Sequence, residues 1–418
     1  MNRKVIQGVI GTVCLILIFS MTANGVITQT AENITKNGWM RGGYGTILYT
    51  YENKGGQPEE MVLWKGDWYA NGKKLRSWTW DETKITVPAG ETATGRLTAW
   101  MPPDVADAAG DTDPVTKGYS VFVTGGATTE VPFEVAIPVA RITDPMKAVK
   151  GKLTGLNLRE KSFKDIKNTE RTLEFLDNAY VQMQDLTGFT PFDGKVVMLE
   201  ESPDNASWAY AGNPIVLNEK FVREAISQMD QGIVCCGWVH EMGHDFDFGG
   251  WYIWNGPAAE FQANFKLGYA VENLMTEGSP FTTLSWLKEV DGKRPKITGR
   301  NFVDGYFFGS GDKYLASTER GWEAITSDEI QALFLRIVRK HGWEPIKKWY
   351  RSYDILAKNG YPRPDTPDKI VKLMCALLSK HTGEDLQPLF ELWKFPVTAD
   401  DVKAMNEEYE LDKLEVQI

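Results

Sequence analysis

Between residues 26 and 142 apolar and polar side chains alternate in short runs, and turn residues interrupt the runs every few positions. Thr46 to Tyr51, Val121 to Thr124 and Val131 to Ile137 are β-branched or aromatic stretches, the composition of half-buried strands. Asn71-Gly72 lies between Trp68-Tyr69-Ala70 and Lys73-Lys74-Leu75, which marks a two-residue hairpin, and Pro88-Ala89-Gly90 marks another turn. Short strands at this spacing predict an immunoglobulin-like β-sandwich over 26–142. Trp64, Trp68, Trp78, Trp80 and Trp100 fall within it. They read as sandwich core plus scattered surface aromatics, with a carbohydrate platform as the alternative, since alternation does not say which of them face water.

The pattern changes after Asp144. Leu173, Leu176, Tyr180 and Met183 recur at helical spacing, Lys195 to Leu199 reads as a buried strand, and Trp208 to Leu217 as an extended edge segment containing Gly212 and Pro214. A helix containing His240 follows. Beyond Arg300 the chain is mainly helical, with a Thr326 to Glu329 capping box opening one helix and Gly342 closing it. The whole predicts a multidomain α+β protein: the sandwich over 26–142, a second core over 143–300 and a helical region over 301–418 that completes it.

Asn2-Arg3-Lys4, an apolar run from Val5 to Met21 and the small residues Ala23-Asn24-Gly25 read as a secretory signal over 1–25. A secreted, cell-surface or periplasmic location is expected, with an uncleaved signal anchor as the alternative and no stable membrane insertion after cleavage. A net charge of -10 from scattered acids gives no electrostatic reason to expect nucleic-acid binding. Cys235, Cys236 and Cys375 do not make a disulfide framework. Cys236 stands one turn before His240, so a thiolate ligand must be weighed, but its place along a mostly apolar helix favours a packed thiol. Cys375 belongs to the apolar face of Ile370 to Leu378 and reads as core.

His240-Glu241-Met242-Gly243-His244 takes two of the four histidines and sets them around a glutamate. Residues four apart on a helix share a face, so both imidazoles reach one metal ion. One zinc ion is the expectation. Zinc lowers the pKa of water towards neutrality, and Glu241, held beside the ion, is placed to take the proton as general base. Tetrahedral zinc then needs a third protein ligand. Gly249-Gly250 reads as the end of the histidine helix, Trp251 to Trp254 as a short loop and Asn255-Gly256-Pro257 as a helix start, which puts Glu260 in the opening turns of a returning helix. Taken alone, Glu260 is also the kind of acid favoured near a helix N-terminus. Asn264, one turn on, is expected to hydrogen-bond and orient a ligand imidazole.

At these residues the chain resembles the enhancin-like, mucin-targeting metallopeptidases, a secreted gluzincin family, from about Thr169 to Val402. Tyr210-Ala211-Gly212-Asn213-Pro214-Ile215, the His240 to His244 motif, Glu260 with Asn264, and Gly342-Trp343-Glu344 with Asp385-Leu386 and Phe390 to Val397 carry the resemblance. It implies a gluzincin core and a zinc endopeptidase acting on mucins or similar O-glycosylated proteins, with His240, His244 and Glu260 as ligands and Glu241 as base. Asn213 in place of the family's usual aromatic, and Asp245-Phe246-Asp247 after the second histidine, depart from the pattern and bear on substrate preference rather than on metal chemistry.

Around that centre, Tyr306 and Tyr314 are candidate donors to an oxyanion, and His341, after the apolar stripe Ile330, Phe334, Ile337, reads better as a helix-terminal histidine. Trp208, Tyr210 and Gly212 are expected to border the cleft, where the two rings either stack on a substrate sugar or pack beneath the strand. A glycan-binding adhesin on a peptidase scaffold is the rival reading, and the intact Glu241 argues against it. A glycosidase would need a carboxylate pair that the spacing does not show.

Overall fold

The computed structural model describes residues 27–35, 38–81, 83–164, 166–203 and 207–418. The signal read over 1–25 lies outside them. They form two compact units, one running to Ile142 with the short stretch 202–203, the other holding the remainder.

The first unit is built from β1 (Ile27–Asn33), β2 (Tyr44–Asn53), β3 (Glu59–Ala70), β4 (Lys73–Trp80), β5 (Ile85–Val87), β6 (Thr92–Trp100), helix α1 (Pro103–Ala109), β7 (Val115–Thr124) and β8 (Ala127–Ala136). Two antiparallel sheets result, one ordered β1-β2-β6 and one ordered β4-β3-β7-β8, with β5 added on β3. Their inward residues share one core: Tyr49 of β2 stacks on Trp64 of β3 at 5.2 Å, and the Trp64 indole donates to the Tyr51 hydroxyl at 2.7 Å. The β3–β4 hairpin turns at Asn71 and Gly72, both at positive φ (49° and 76°), a conformation that asparagine and glycine tolerate best. Trp64 and Trp68 are buried, as the core reading of the tryptophans expects, whereas Trp100 is 39% exposed.

The second unit opens with β9 (Met146–Lys150), β10 (Thr154–Arg159), helix α2 (Thr169–Thr187), β11 (Val197–Ser202), β12 (Ala209–Tyr210) and β13 (Ile215–Asn218). These strands form a mixed sheet ordered β12-β13-β11-β10-β9, so the segment read as an edge is a short hairpin whose first strand is the edge. Asn213 ties its bend to β11, accepting from Met198 N at 3.1 Å and donating to Val196 O at 2.9 Å. That role suits a carboxamide.

The helical part follows: α3 (Glu219–Asp230), a two-residue β14 (Ile233–Val234), α4 (Cys236–Asp245), α5 (Gly256–Leu274), β15 (Thr283–Leu284), α6 (Gly299–Ala316), α7 (Ser327–His341), α8 (Glu344–Lys358), α9 (Pro367–Thr382), α10 (Gln387–Leu392) and α11 (Ala399–Glu408). The Thr326–Glu329 capping box opens α7 with both of its reciprocal bonds, and Gly342 closes it at φ 79°. One hydrophobic core runs from β10 to the C-terminal segment, with α5 at its centre: every residue from Phe261 to Val271 is buried. Residues on either side of 300 therefore share that core. Among the described residues no helix is long and apolar enough to cross a membrane.

Candidate metal centre

Two helices make the site. α4 begins after the extended residue Cys235 and is tied to the β15 side by Cys236 N, which donates to Ser285 Oγ at 3.0 Å. Both thiols are buried, and burial pushes them up to about 12 for Cys235 and about 11 for Cys236. Neither sulfur belongs to the group of side chains that can share a metal ion, so Cys236 reads as a packed thiol.

α4 ends at Asp245, earlier than Gly249-Gly250, where the sequence placed its close. Phe246 N turns back to Gly243 O and Asp247 N to His244 O, a tighter closing geometry. Phe246 leaves the helix to bury its ring against Tyr180 at 4.9 Å, and Asp247 is drawn to the Lys266 ammonium. Core packing and one buried ion pair thus outweigh local helix propensity.

α5 starts as expected: the Asn255 side chain caps it by accepting from Ala258 N at 2.8 Å, with proline in the first turn. The two helices approach closely because Gly243 lies between the histidines. A Cβ there would come within 2.8 Å of the Ala263 carbonyl oxygen.

This approach brings Glu260 to both imidazoles, 3.1 Å from His240 Nε2 and 3.7 Å from His244 Nε2. The three ligand atoms lie within 4.8 Å of one another, and the group can hold a metal ion. Two imidazole nitrogens and a carboxylate oxygen converging from a partly exposed site are the donor set of a zinc centre that keeps one position open. Burial pushes His240 down, but the Glu260 hydrogen bond and the Glu241 charge outweigh it, so its pKa is raised. The His240 hydrogen bond holds Glu260 low.

The imidazoles are also held from behind. His240 Nδ1 lies 2.7 Å from Asn264 Oδ1, which leaves Nε2 free for a metal. His244 Nδ1 faces Asp247 at 3.7 Å, and Asp247 is paired in turn with Lys266, which has no exposed side-chain surface. The sequence singled out Asp245-Phe246-Asp247 as a departure but did not pair Asp247 with Lys266, which stands 19 residues away.

Glu241 faces a cleft of about 530 Å³ together with His240 and Glu260. Burial raises its carboxyl pKa, while the histidine charges and the Ala211 backbone oppose the rise. A carboxylate made more basic in this way suits proton abstraction. The Gly212 backbone meets the buried Asp245 carboxyl next to it.

The remaining sequence candidates separate. Tyr306 lines the cleft, 41% exposed, with its ring stacked on Trp286 at 5.8 Å, and Trp286 stands 6.3 Å from the His240 ring. Tyr314 is corrected: it is fully buried, and its hydroxyl donates to Trp393 O at 3.2 Å, away from the cleft. Trp208 lines the cleft, but its ring lies over Gly237 of α4 and against Phe221 at 6.2 Å. Tyr210, on β12, and Gly212, in the bend that follows it, lie beside α4 and are not among the residues lining the cleft. His341 ends α7 with its Nε2 3.2 Å from the Glu384 carboxylate, away from the cleft. Sequence reasoning missed Trp286, Arg294 and Asp328, all of which line the cleft from segments far from the motif.

The chain was compared with known proteins in three ways. The sequence pattern of the family described as peptidase M60, enhancin and enhancin-like matches residues 121–394, a span that starts inside β7 and takes in β8. No curated protein matches the chain. Similar solved structures include a functionally unknown conserved protein from Bacillus anthracis str. Ames, 13% identical over 91% of this chain and 73% of that one, at a TM-score of 0.48. A metallopeptidase in complex with Tn antigen is 11% identical over 86% and 71%, at 0.45. The ZmpB metallopeptidase from Clostridium perfringens is 15% identical over 94% and 75%, at 0.42.

Proposed function

We propose, from the premise that this chain belongs to the peptidase M60, enhancin and enhancin-like family, that it is a zinc-dependent endopeptidase acting on mucin-type O-glycosylated proteins. The observation that carries the reading is the convergence of His240, His244 and Glu260 on one point, with Glu241 facing the same cleft. When bound, zinc supplies Lewis acidity to a scissile carbonyl and acidifies water.

The chain's own residues do the rest. Glu241 takes the proton of the attacking water and passes it to the departing amine, and burial tunes it for that task. Asn264 fixes the His240 tautomer, and Asp247 faces the second nitrogen of His244. Tyr306, exposed at the cleft wall, is the donor assigned to the developing oxyanion. The edge strand β12 lies beside α4 and offers backbone groups to an extended substrate. The immunoglobulin-like character of the sandwich and export through the 1–25 signal belong to the same proposal.

Metal analysis of the purified chain, joined to cleavage of one peptide in O-glycosylated and bare forms, tests the reading. A single zinc and faster cleavage of the glycosylated form are expected. A chain that binds the glycopeptide without cutting it would instead favour the adhesin.

A further inference from the structure

α4 carries a second acid on the face of Glu241. Asp245 follows it by four residues, which places the two carboxyls one turn apart on that face. Both meet one short bend of the chain. The Ala211 backbone hydrogen-bonds to the Glu241 carboxyl, and the backbone of the next residue, Gly212, to the carboxyl of Asp245. This bend joins β12 to β13, and Asn213 fastens its far side to Met198 N and Val196 O. It is a bridge between the sheet and the helix that carries the base.

Of the three residues after the second histidine that depart from the family pattern, Phe246 packs on Tyr180 and Asp247 pairs with Lys266. Asp245 is left without a role. Its Oδ2 is buried and has no hydrogen-bond partner among the described residues. Packing alone would favour an apolar side chain here, because a buried carboxyl oxygen with no partner has given up water for nothing. What the carboxyl gains is the Gly212 amide.

Glu241 needs a support of this kind. The outermost torsion of a glutamate side chain is broad, so the plane of the carboxylate must be set by a partner. The cleft side of Glu241 faces water and substrate, and the Ala211 backbone is a partner that sets that plane. A general base works only within hydrogen-bond reach of the proton it takes, and a small misplacement lowers the rate steeply. The Ala211 amide is only as well placed as the bend. Gly212 gives the bend its shape, at a φ of 131° that glycine adopts far more readily than other residues.

We infer that Asp245 is a positioning residue for the reaction: by anchoring the Ala211–Gly212 bend to α4, it fixes the amide that orients the Glu241 carboxylate. This rests on the endopeptidase reading above. Asp245 is assigned no contact with metal or substrate, so its effect belongs in kcat.

The test measures kcat, KM and zinc content for the zinc-loaded full chain acting on one O-glycosylated peptide. Asp245→Ala should lower kcat about 10- to 100-fold with KM and zinc content unchanged, because the base is displaced while the ligands and the cleft stay. Asp245→Asn keeps an acceptor for the Gly212 amide and should recover most of that loss. Gly212→Ala approaches the bend from its other side. Its Cβ has room, 3.5 Å from the Pro214 carbonyl oxygen, but the φ of 131° strains any L side chain, so kcat should fall here too. This variant leaves α4 untouched and decides the question if Asp245→Ala does not fold.

Wild-type kcat in folded Asp245→Ala or in Gly212→Ala overturns the inference, as does an Asp245→Asn variant as slow as Asp245→Ala. A loss that appears in KM overturns it by making the bend a substrate contact. A loss matched by lost zinc overturns it by making Asp245 a support for His244. Failure of the underlying reading looks different: a wild-type chain that holds zinc and cuts no peptide removes the endopeptidase, and this role with it.

Discussion

Lys266, with no exposed side-chain surface in the middle of α5, is paired with Asp247, which in turn faces His244. The pair couples the end of α4, which carries both histidines, to the body of α5, which carries Glu260. Burial lowers the lysine pKa, and the Asp247 charge and hydrogen bond oppose that fall. Removing one member leaves the other charge buried without compensation.

Lys266→Met should therefore cost about 3–5 kcal/mol of stability, the range for breaking a buried pair from one side. The double change Lys266→Met with Asp247→Asn should recover much of that loss. Denaturant unfolding of both variants checks it. A double variant as unstable as the single one would contradict the pairing.

Asn264 holds the first histidine as Asp247 faces the second. Asn264→Ala should weaken zinc retention about 10- to 100-fold, and Asn264→Asp, which keeps an acceptor at that position, should weaken it less. Competition with a chelator measures this directly. Equal retention by wild type and Asn264→Ala would remove Asn264 from the support of His240.

Gly243 tests whether the spacing of the two helices makes the site. A methyl group at this position meets the Ala263 backbone, which cannot rotate away. Gly243→Ala should cost about 1–3 kcal/mol as an overpacked contact, and zinc retention should fall with it because the ligands sit on both helices. Unchanged stability would show that α4 and α5 have slack.

These predictions mark where the sequence was legible. The motif, Glu260 and Asn264 follow from helical spacing and from a good helix start at Asn255, which are local signals. The hairpin at Asn71-Gly72 and the capping box of α7 were legible for the same reason. The early end of α4 was not, because Phe246 and Asp247 are drawn out of the helix by Tyr180 and Lys266, partners far along the chain. Tyr306 and Tyr314 lie on one helix, and no periodic pattern tells that one faces the cleft while the other donates to Trp393. Arg294 and Asp328 carry no motif, and only the folded cleft brings them together.

His381 offers a pH test in a place remote from the metal. Its Nε2 lies 2.7 Å from Ser352 Oγ, and burial, with the charges of Lys380 and Lys348, lowers its pKa to about 4. The unfolded chain binds this proton near the ordinary histidine value of about 6.5, so between there and about 4 the unfolded state holds more protons than the folded one. Stability at this site is thus complete above that window and is lost as pH falls through it, to the order of 3 kcal/mol at the acid end. His381→Gln, which cannot titrate, should show a shallower loss over the same window. Parallel pH curves for the two proteins would contradict the assignment.

The role of Glu241 is tested most directly by turnover of an O-glycosylated peptide, comparing the zinc-loaded wild type with zinc-loaded Glu241→Gln at equal metal content. Glutamine keeps the shape and removes the base without touching a ligand. The account predicts cleavage by the wild type and a loss of about 100- to 10,000-fold in the variant, the contribution of a positioned general base. Cleavage by Glu241→Gln at the wild-type rate would contradict it.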